Sequence, residues 1–242
     1  MRPRFKHFVI VKFDYPEGYP FMIWKKDQLR WCLLQSLRNQ TNKEFVLVFN
    51  STHPMPHEGF GEMIISPVWK DKVREAAEDY DYVITTRLDG DDFVTPDFIQ
   101  TIQDNFEETD KLILQPNGWI YETRTKMLVD SFVTPTMVLN NFSFIEKVDK
   151  EDPLSVQSCY VWAHSMIGKK YKIKFIEEKI HIWCINQESL KAISRPPSRF
   201  IKEKPNQLEE FKKLHKIYPS IINIIDVRND TIKRIKGEHE VV

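Results

Sequence analysis

Three short apolar runs, each rich in β-branched and aromatic residues, alternate with helix-patterned segments through the first hundred residues. They are His7–Phe13 (HFVIVKF), Glu44–Phe49 (EFVLVF) and Tyr82–Thr86 (YVITT). Runs that are apolar throughout suit strands buried on both faces. Between the first two lies Asp27–Arg38, with Leu29, Cys32, Leu33 and Leu37 at helical spacing and Asp27 at a capping position. Lys70–Ala77 reads as a second helix before the third strand. Alternation of this kind predicts an α/β fold, with a mostly parallel sheet flanked by helices.

The rest of the chain is read in the same way. Asn50 to about Gly61 is a polar loop, and Thr95-Pro96 opens a helix as N-cap and first helical residue. Lys111–Gln115 is a strand, and Trp119–Tyr121 with Met127–Val129 suggests a hairpin. Pro153–Ile167 reads as a helix stopped at Gly168, followed by two short strands, Lys172–Ile176 and Ile180–Trp183. Beyond Arg195-Pro196-Pro197 the chain turns polar. Gln207–Ile217 there forms an amphipathic helix with Leu208, Phe211, Leu214 and Ile217 on one stripe. The expected division is a domain over 1–195 and a C-terminal helical extension over 196–242.

Composition narrows the function. The 242 residues hold 35 basic and 35 acidic side chains, a balance that argues against a dedicated nucleic-acid binder. No apolar run is long enough for a signal peptide or a membrane helix. Three distant cysteines, Cys32, Cys159 and Cys184, fit buried thiols in a reduced, cytoplasmic protein better than a disulfide scaffold. The sequence contains neither GxxxxGK[ST] nor GxGxxG, which removes the P-loop and the dinucleotide fingerprint.

The third strand runs directly into Arg87-Leu88-Asp89-Gly90-Asp91-Asp92. Ligands of parallel sheets bind beyond the carboxyl ends of the strands, where this cluster falls. Carboxylates so close repel one another unless solvated or neutralised. One reading is a solvated turn. The other is a hard divalent cation, Mn²⁺ or Mg²⁺, held by one or two carboxylates and by substrate phosphates. An EF-hand is excluded because Phe93 breaks the required alternation. His53-Pro54-Met55-Pro56-His57 reads as a loop, since its prolines keep the two histidines from stacking on a helix face.

A strand followed by Asp-x-Asp in an α/β chain resembles the DXD element of GT-A nucleotide-sugar glycosyltransferases. Thr86-Arg87-Leu88-Asp89-Gly90-Asp91-Asp92 with Pro96-Asp97-Phe98 is similar to the TRLDxDD…DF stretch of a rhamnosyltransferase family of that type. Arg30 through Ser36-Leu37-Arg38-Asn39-Gln40 and Phe45 resembles its R…SL..Q…F segment, and Asn117-Gly118-Trp119-Ile120-Tyr121 its NGxxY. Phe144-Ile145-Glu146 resembles a later hydrophobic-Glu element. The resemblance spans about residues 5–195. It departs near Trp183, where the family's His-Gly-x-Asn is replaced by Cys184-Ile185-Asn186 and the nearby histidine, His181, precedes the tryptophan.

The resemblance implies a GT-A (Rossmann-like) fold and transfer of a sugar from a UDP- or dTDP-linked donor to a glycan or other hydroxyl acceptor, with rhamnose as the sugar. It implies Asp91 as metal ligand, with Asp89 on the metal or the donor ribose and Asp92 holding the sugar or orienting its neighbours. His181 stands as a third candidate ligand or, as its apolar neighbours Ile180 and Ile182 favour, a core or edge histidine. Arg87 and Arg30 offer bidentate donors to phosphate, or salt bridges to the acidic loop. Glu151-Asp152-Pro153-Leu154 resembles the stretch that carries the base of many inverting GT-A enzymes. That makes Asp152 the base candidate, with Glu151 and Glu146 behind it, unless Asp152 caps the following helix. Trp119, Tyr121 and Trp162 could stack on sugar rings. Two other classes stay open: a non-catalytic carbohydrate-binding protein of the same fold, and a nucleotidyltransferase. The latter normally carries a glycine-rich basic loop where this chain has Asp14-Tyr15-Pro16.

Overall fold

A computed structural model describes residues 4–13, 15, 22–55, 59–122, 127–130, 141–152, 155, 156, 159 and 164–185. The expected C-terminal helix, the division at 195 and Trp162 lie outside them. In chain order the elements are β1 (Phe5–Lys12), α1 (Met22–Leu29), a π-helical stretch (Arg30–Leu34), α2 (Gln35–Arg38), β2 (Val46–Asn50) and β3 (Glu62–Ile65). Then follow α3 (Trp69–Ala77), β4 (Tyr82–Leu88), β5 (Phe93–Val94), α4 (Phe98–Asp104) and β6 (Leu112–Glu122). The series continues with β7 (Met127–Asp130), β8 (Phe142–Lys147), α5 (His164–Lys170) and β9 (Lys172–Ile185).

The nine strands among the described residues join one mixed sheet, ordered β3-β2-β1-β4-β8-β6-β9-β5, with β7 paired to β6. β3, β2, β1 and β4 run parallel, β8 runs against β4 and β6, and β9 is parallel to β6. Six strands therefore share one direction, while β5, β7 and β8 oppose it. The expected α/β sheet, mostly parallel and flanked by helices, is what the chain forms.

Strand alternation divides the core in two. Val9, Val11, Leu47, Phe49, Ile84 and Leu88 face Leu29, Leu33 and Leu37 of the first helical segment and Phe98, Ile99 and Ile102 of α4. Phe8, Ile10, Val46, Val48 and Val83 face Trp69, Val73 and Ala77 of α3 and Ile167 of α5. The central residues of β1, β2 and β4 are thus buried on both faces, which is why their sequences are mostly apolar there.

Several local expectations change. The first helix starts at Met22, so Asp27 lies inside it rather than capping it, and its periodicity opens into a π-turn at Arg30–Leu34. α4 begins at Phe98, and Pro96 belongs to the preceding turn, in which the Phe98 N–H donates to the Thr95 carbonyl at 3.1 Å. α5 runs past Gly168 to Lys170. The two short strands expected after it are one strand, β9, of 14 residues. No helix among the described residues is long and apolar enough to cross a membrane.

Gln40 joins the two helical segments below the acidic loop. It is 3% exposed. Its amide donates to the Ser36 and Thr95 carbonyls at 3.0 and 2.6 Å, and its Oε1 accepts the Ile99 N–H at 2.9 Å. Ile99 lies in the first turn of α4, where the N-cap Asp97 makes no side-chain cap bond, so Gln40 caps that helix from outside. Gln40→Leu leaves these buried groups without their partner and is expected to cost about 2–4 kcal/mol of unfolding free energy. Urea denaturation reads the loss, and a change under about 0.5 kcal/mol would show that the cap carries no weight.

Candidate functional site

Chain order places the acidic loop at a break in the sheet. From β1 the chain winds outward through β2 to β3, then returns to the other side of β1 as β4. The crevice beyond the carboxyl ends of β1 and β4 is the switch point where open α/β sheets take ligands. Asp89, Gly90, Asp91 and Asp92 leave β4 at that end.

The three carboxylates are not equivalent. Asp91 is half-buried, and its Oδ2 lies 3.8 Å from Lys25 Nζ on α1. Leu29, one turn along from Lys25, packs against Gly90, where a Cβ would stand 3.3 Å from Leu29 Cδ1. A glycine at position 90 thus lets α1 sit close against the loop. Asp89 is also half-buried, and its amide points toward Asn141 Oδ1 at 3.4 Å. Asp92 has no exposed surface. Its Oδ1 accepts the Cys184 amide and its Oδ2 accepts Asn141 Nδ2, both at 2.8 Å. Burial, then the charges of Asp91 and Asp89, push the Asp92 carboxyl well above the ordinary value, against the pull of those two hydrogen bonds.

His181 lies on β9, opposite Val94 of β5 and Gly118 of β6. It is fully buried, and burial lowers its pKa to about 4, opposed by the adjacent Asn117 backbone. Among the described residues no other hydrogen-bond partner meets either ring nitrogen. No three His, Cys, Asp or Glu side chains among the described residues are grouped to hold a metal ion. Asp89 and Asp91 offer hard oxygen donors at the loop. That set fits Mg²⁺ or Mn²⁺, which bind through one or two carboxylates with substrate phosphates and water completing the shell.

The other sequence candidates lie elsewhere. β8 leaves the acidic loop at Asn141 and runs antiparallel down β4, so Glu146 pairs with Val83, near the opposite end. Glu151 and Asp152 follow in a turn tied to that end. There the Val148 amide bonds the Asp81 carbonyl and the Ser155 amide bonds the Asp152 carbonyl. Five residues of extended strand separate Val83 from Leu88, roughly 16 Å. Arg87 stands on the face of β4 that holds Val83, where its charge and that of Glu146 both act on the buried thiol of Cys159. Burial pushes that thiol up to about 12. Arg30 is exposed on the π-turn. All three cysteines are buried, and none forms a disulfide. His53, in the loop after β2, meets the carbonyl of Tyr15, which follows β1, 3.1 Å from Nε2.

Lys25, Asn141, Gln115 and the Cys184 amide were not among the sequence candidates. Lys25 falls before the expected helix start, although its i, i+4 spacing to Leu29 would have shown it once the helix was extended. Asn141 and Cys184 meet Asp92 across 49 and 92 residues of chain, and no local pattern announces such contacts.

No family model matches the chain, and no curated protein matches it. Among solved structures it is similar to TarS 1–349 of S. aureus at 13% identity, over 74% of this chain and 60% of that one, with a TM-score of 0.43. TarS 1–349 in complex with UDP-GlcNAc gives 13% identity, 74% and 58% coverage and the same score. GalNAc-T7 with UDP, GalNAc and Mn²⁺ gives 10% identity, 77% and 45% coverage, and 0.41. The chain therefore spans about 60% of TarS 1–349 and less than half of GalNAc-T7.

Proposed function

We propose that the chain is a GT-A type glycosyltransferase that moves a sugar from a UDP- or dTDP-linked donor to a hydroxyl of a glycan acceptor. Rhamnose is the sugar its sequence resemblance favours. The observation that carries this reading is the pair Asp89 and Asp91, two half-buried carboxylates at the carboxyl end of β4 beside the switch point of the sheet. Sugar transfer leaves negative charge on the departing diphosphate. A divalent cation held by Asp91 and Asp89 would stabilise that charge without a proton transfer. Lys25, already paired with Asp91, adds positive charge at the same place. Asp91 orients what binds there, and the packing of Leu29 on Gly90 keeps the loop against α1. We do not assign the acceptor base to Asp152, Glu151 or Glu146, because most of the length of β4 separates them from the acidic loop.

Isothermal titration of UDP, dTDP and GDP, each with and without Mn²⁺, tests the reading on the wild type and on Asp91→Ala. Metal-dependent binding of UDP or dTDP is expected in the wild type. In Asp91→Ala it should be roughly 100-fold weaker, about 2.7 kcal/mol. Binding that ignores both the metal and Asp91 overturns the proposal. Metal-dependent binding without donor hydrolysis or transfer would instead make the chain a nucleotide-sugar-binding protein of the same fold.

A further inference from the structure

Asp92 is built unlike its two neighbours. Its carboxylate is wholly enclosed and takes one hydrogen bond from each of two distant segments, the Asn141 side chain before β8 and the Cys184 amide near the end of β9. Asn141 is itself 1% exposed. While its Nδ2 donates to Asp92, its Oδ1 faces the Asp89 amide, and its carbonyl accepts Gln115 Nε2 at 3.1 Å. Gln115 is fully buried on β6. The acidic loop is thus tied from inside to β6, β8 and β9. An enclosed carboxylate beside two others is costly, and its two hydrogen bonds offset only part of that cost. A carboxylate with no exposed surface is also poorly placed to touch a sugar or a phosphate.

We infer that Asp92 and Asn141 are a positioning pair. Their hydrogen bond fixes the backbone of the acidic loop from within and leaves Asp89 and Asp91 to meet the ligand. The pair deepens the proposed function and rests on it for the nature of that ligand. The sequence expectation left Asp92 either holding the sugar or orienting its neighbours; the assignment takes the second and names Asn141 as the partner through which it acts.

The polarity of the hydrogen bonds supplies a test. In Asn141→Asp two carboxylates face each other and Asp92 loses a donor. In Asp92→Asn two amide groups compete, and one of the Asp89 and Asp92 contacts must be given up. The exchange Asp92→Asn/Asn141→Asp restores every bond. The side-chain oxygen at 92 still accepts the Cys184 amide, and the NH₂ at 92 now donates to the carboxylate at 141. That carboxylate's second oxygen takes the Asp89 amide. UDP titration in Mn²⁺ and thermal unfolding are measured for the wild type, both single variants and the double variant.

The expected result is binding at least roughly tenfold weaker in each single variant and within about threefold of wild type in the double, with unfolding midpoints following the same pattern. Wild-type binding in the single variants overturns the inference. So does a double variant that unfolds like the wild type yet fails to bind, because Asp92 would then touch the ligand as a carboxylate. A double variant no more stable than the singles overturns it as well. If the wild type binds no nucleotide in Mn²⁺, the proposed function fails on its own. The positioning pair is then judged by the midpoints, supported by their recovery in the double variant and overturned by its absence.

Discussion

Gly118→Ala is expected to lower unfolding free energy by about 3 kcal/mol or more, among the largest effects of any single added methyl group in this chain. Overpacking a filled site usually costs about 1–3 kcal/mol. Here a Cβ would stand 2.2 Å from the His181 carbonyl oxygen and 2.7 Å from His181 Nδ1. The nearer obstacle is backbone, which cannot swing aside as a side chain could. The contact arises where β6 and β9 slip register at Pro116–Gly118, pairing Asn117 with Lys179 and Gly118 with His181. Relief requires β9 to part from β6 at the point where β9 also pairs with β5. For a protein of this size 1 kcal/mol shifts the midpoint by about 2–4 °C, so a fall of about 6–12 °C is expected by calorimetry. A fall below 2 °C would show that the two strands are not held so closely.

Acid should weaken the wild type through His7, and His7→Gln should remove that part of the response. His7 is buried between β4 and α4. Its Nε2 lies 2.7 Å from Thr86 Oγ1, which in turn lies 2.6 Å from Ser143 Oγ, and Gln103 Nε2 donates toward Nδ1 at 3.4 Å. With Gln103 as donor, Nδ1 is the acceptor and the ring is neutral. Burial lowers its pKa from 6.5 to about 3. The unfolded chain therefore binds a proton that the folded one refuses at any pH between those values. The stabilisation is complete above pH 6.5 and is lost as the pH falls toward 3, at about 1.4 kcal/mol per pH unit. Urea denaturation at pH 7, 6 and 5 should give a steeper fall for the wild type than for His7→Gln, by about that slope. Parallel profiles would mean that His7 titrates as a solvated histidine. Carboxylates elsewhere affect both proteins alike, so the difference in slope isolates the one ring.

The sequence was most informative where physical demand is local. The middles of β1, β2 and β4 had to be largely apolar because both faces are covered, and that pattern is visible without a partner in hand. The hairpin of β6 and β7 was visible for a similar reason. β3 and β5 were not, since four and two residues are too few to carry a period. The Ser36…Gln40 spacing was noticed as a family likeness. Its physical sense, a cap on α4 and a bond from the Val94 amide to Ser36 Oγ, needed the fold. The acidic loop itself was legible as a motif on a strand end. The difference between Asp92 and its neighbours was not, because burial of a polar side chain depends on β8 and β9, far along the chain. Glu146 and Asp152 are the reverse case. Their motif was readable, but strand direction alone decides at which end of β4 it emerges.

The two ties on Asp92 also set the order in which the molecule can become competent. Asn141 and Cys184 follow it by 49 and 92 residues. At about 5–20 residues per second, the later tie leaves the ribosome roughly 5–20 seconds after the acidic loop has been made. Throughout that interval β1 to β4 can pair, yet the Asp92 carboxylate stands without either of its internal ties. A nascent chain interrupted before β9 would own a sheet and no finished pocket. Ligand binding would therefore report that synthesis has passed residue 184, whatever the state of the strands made first.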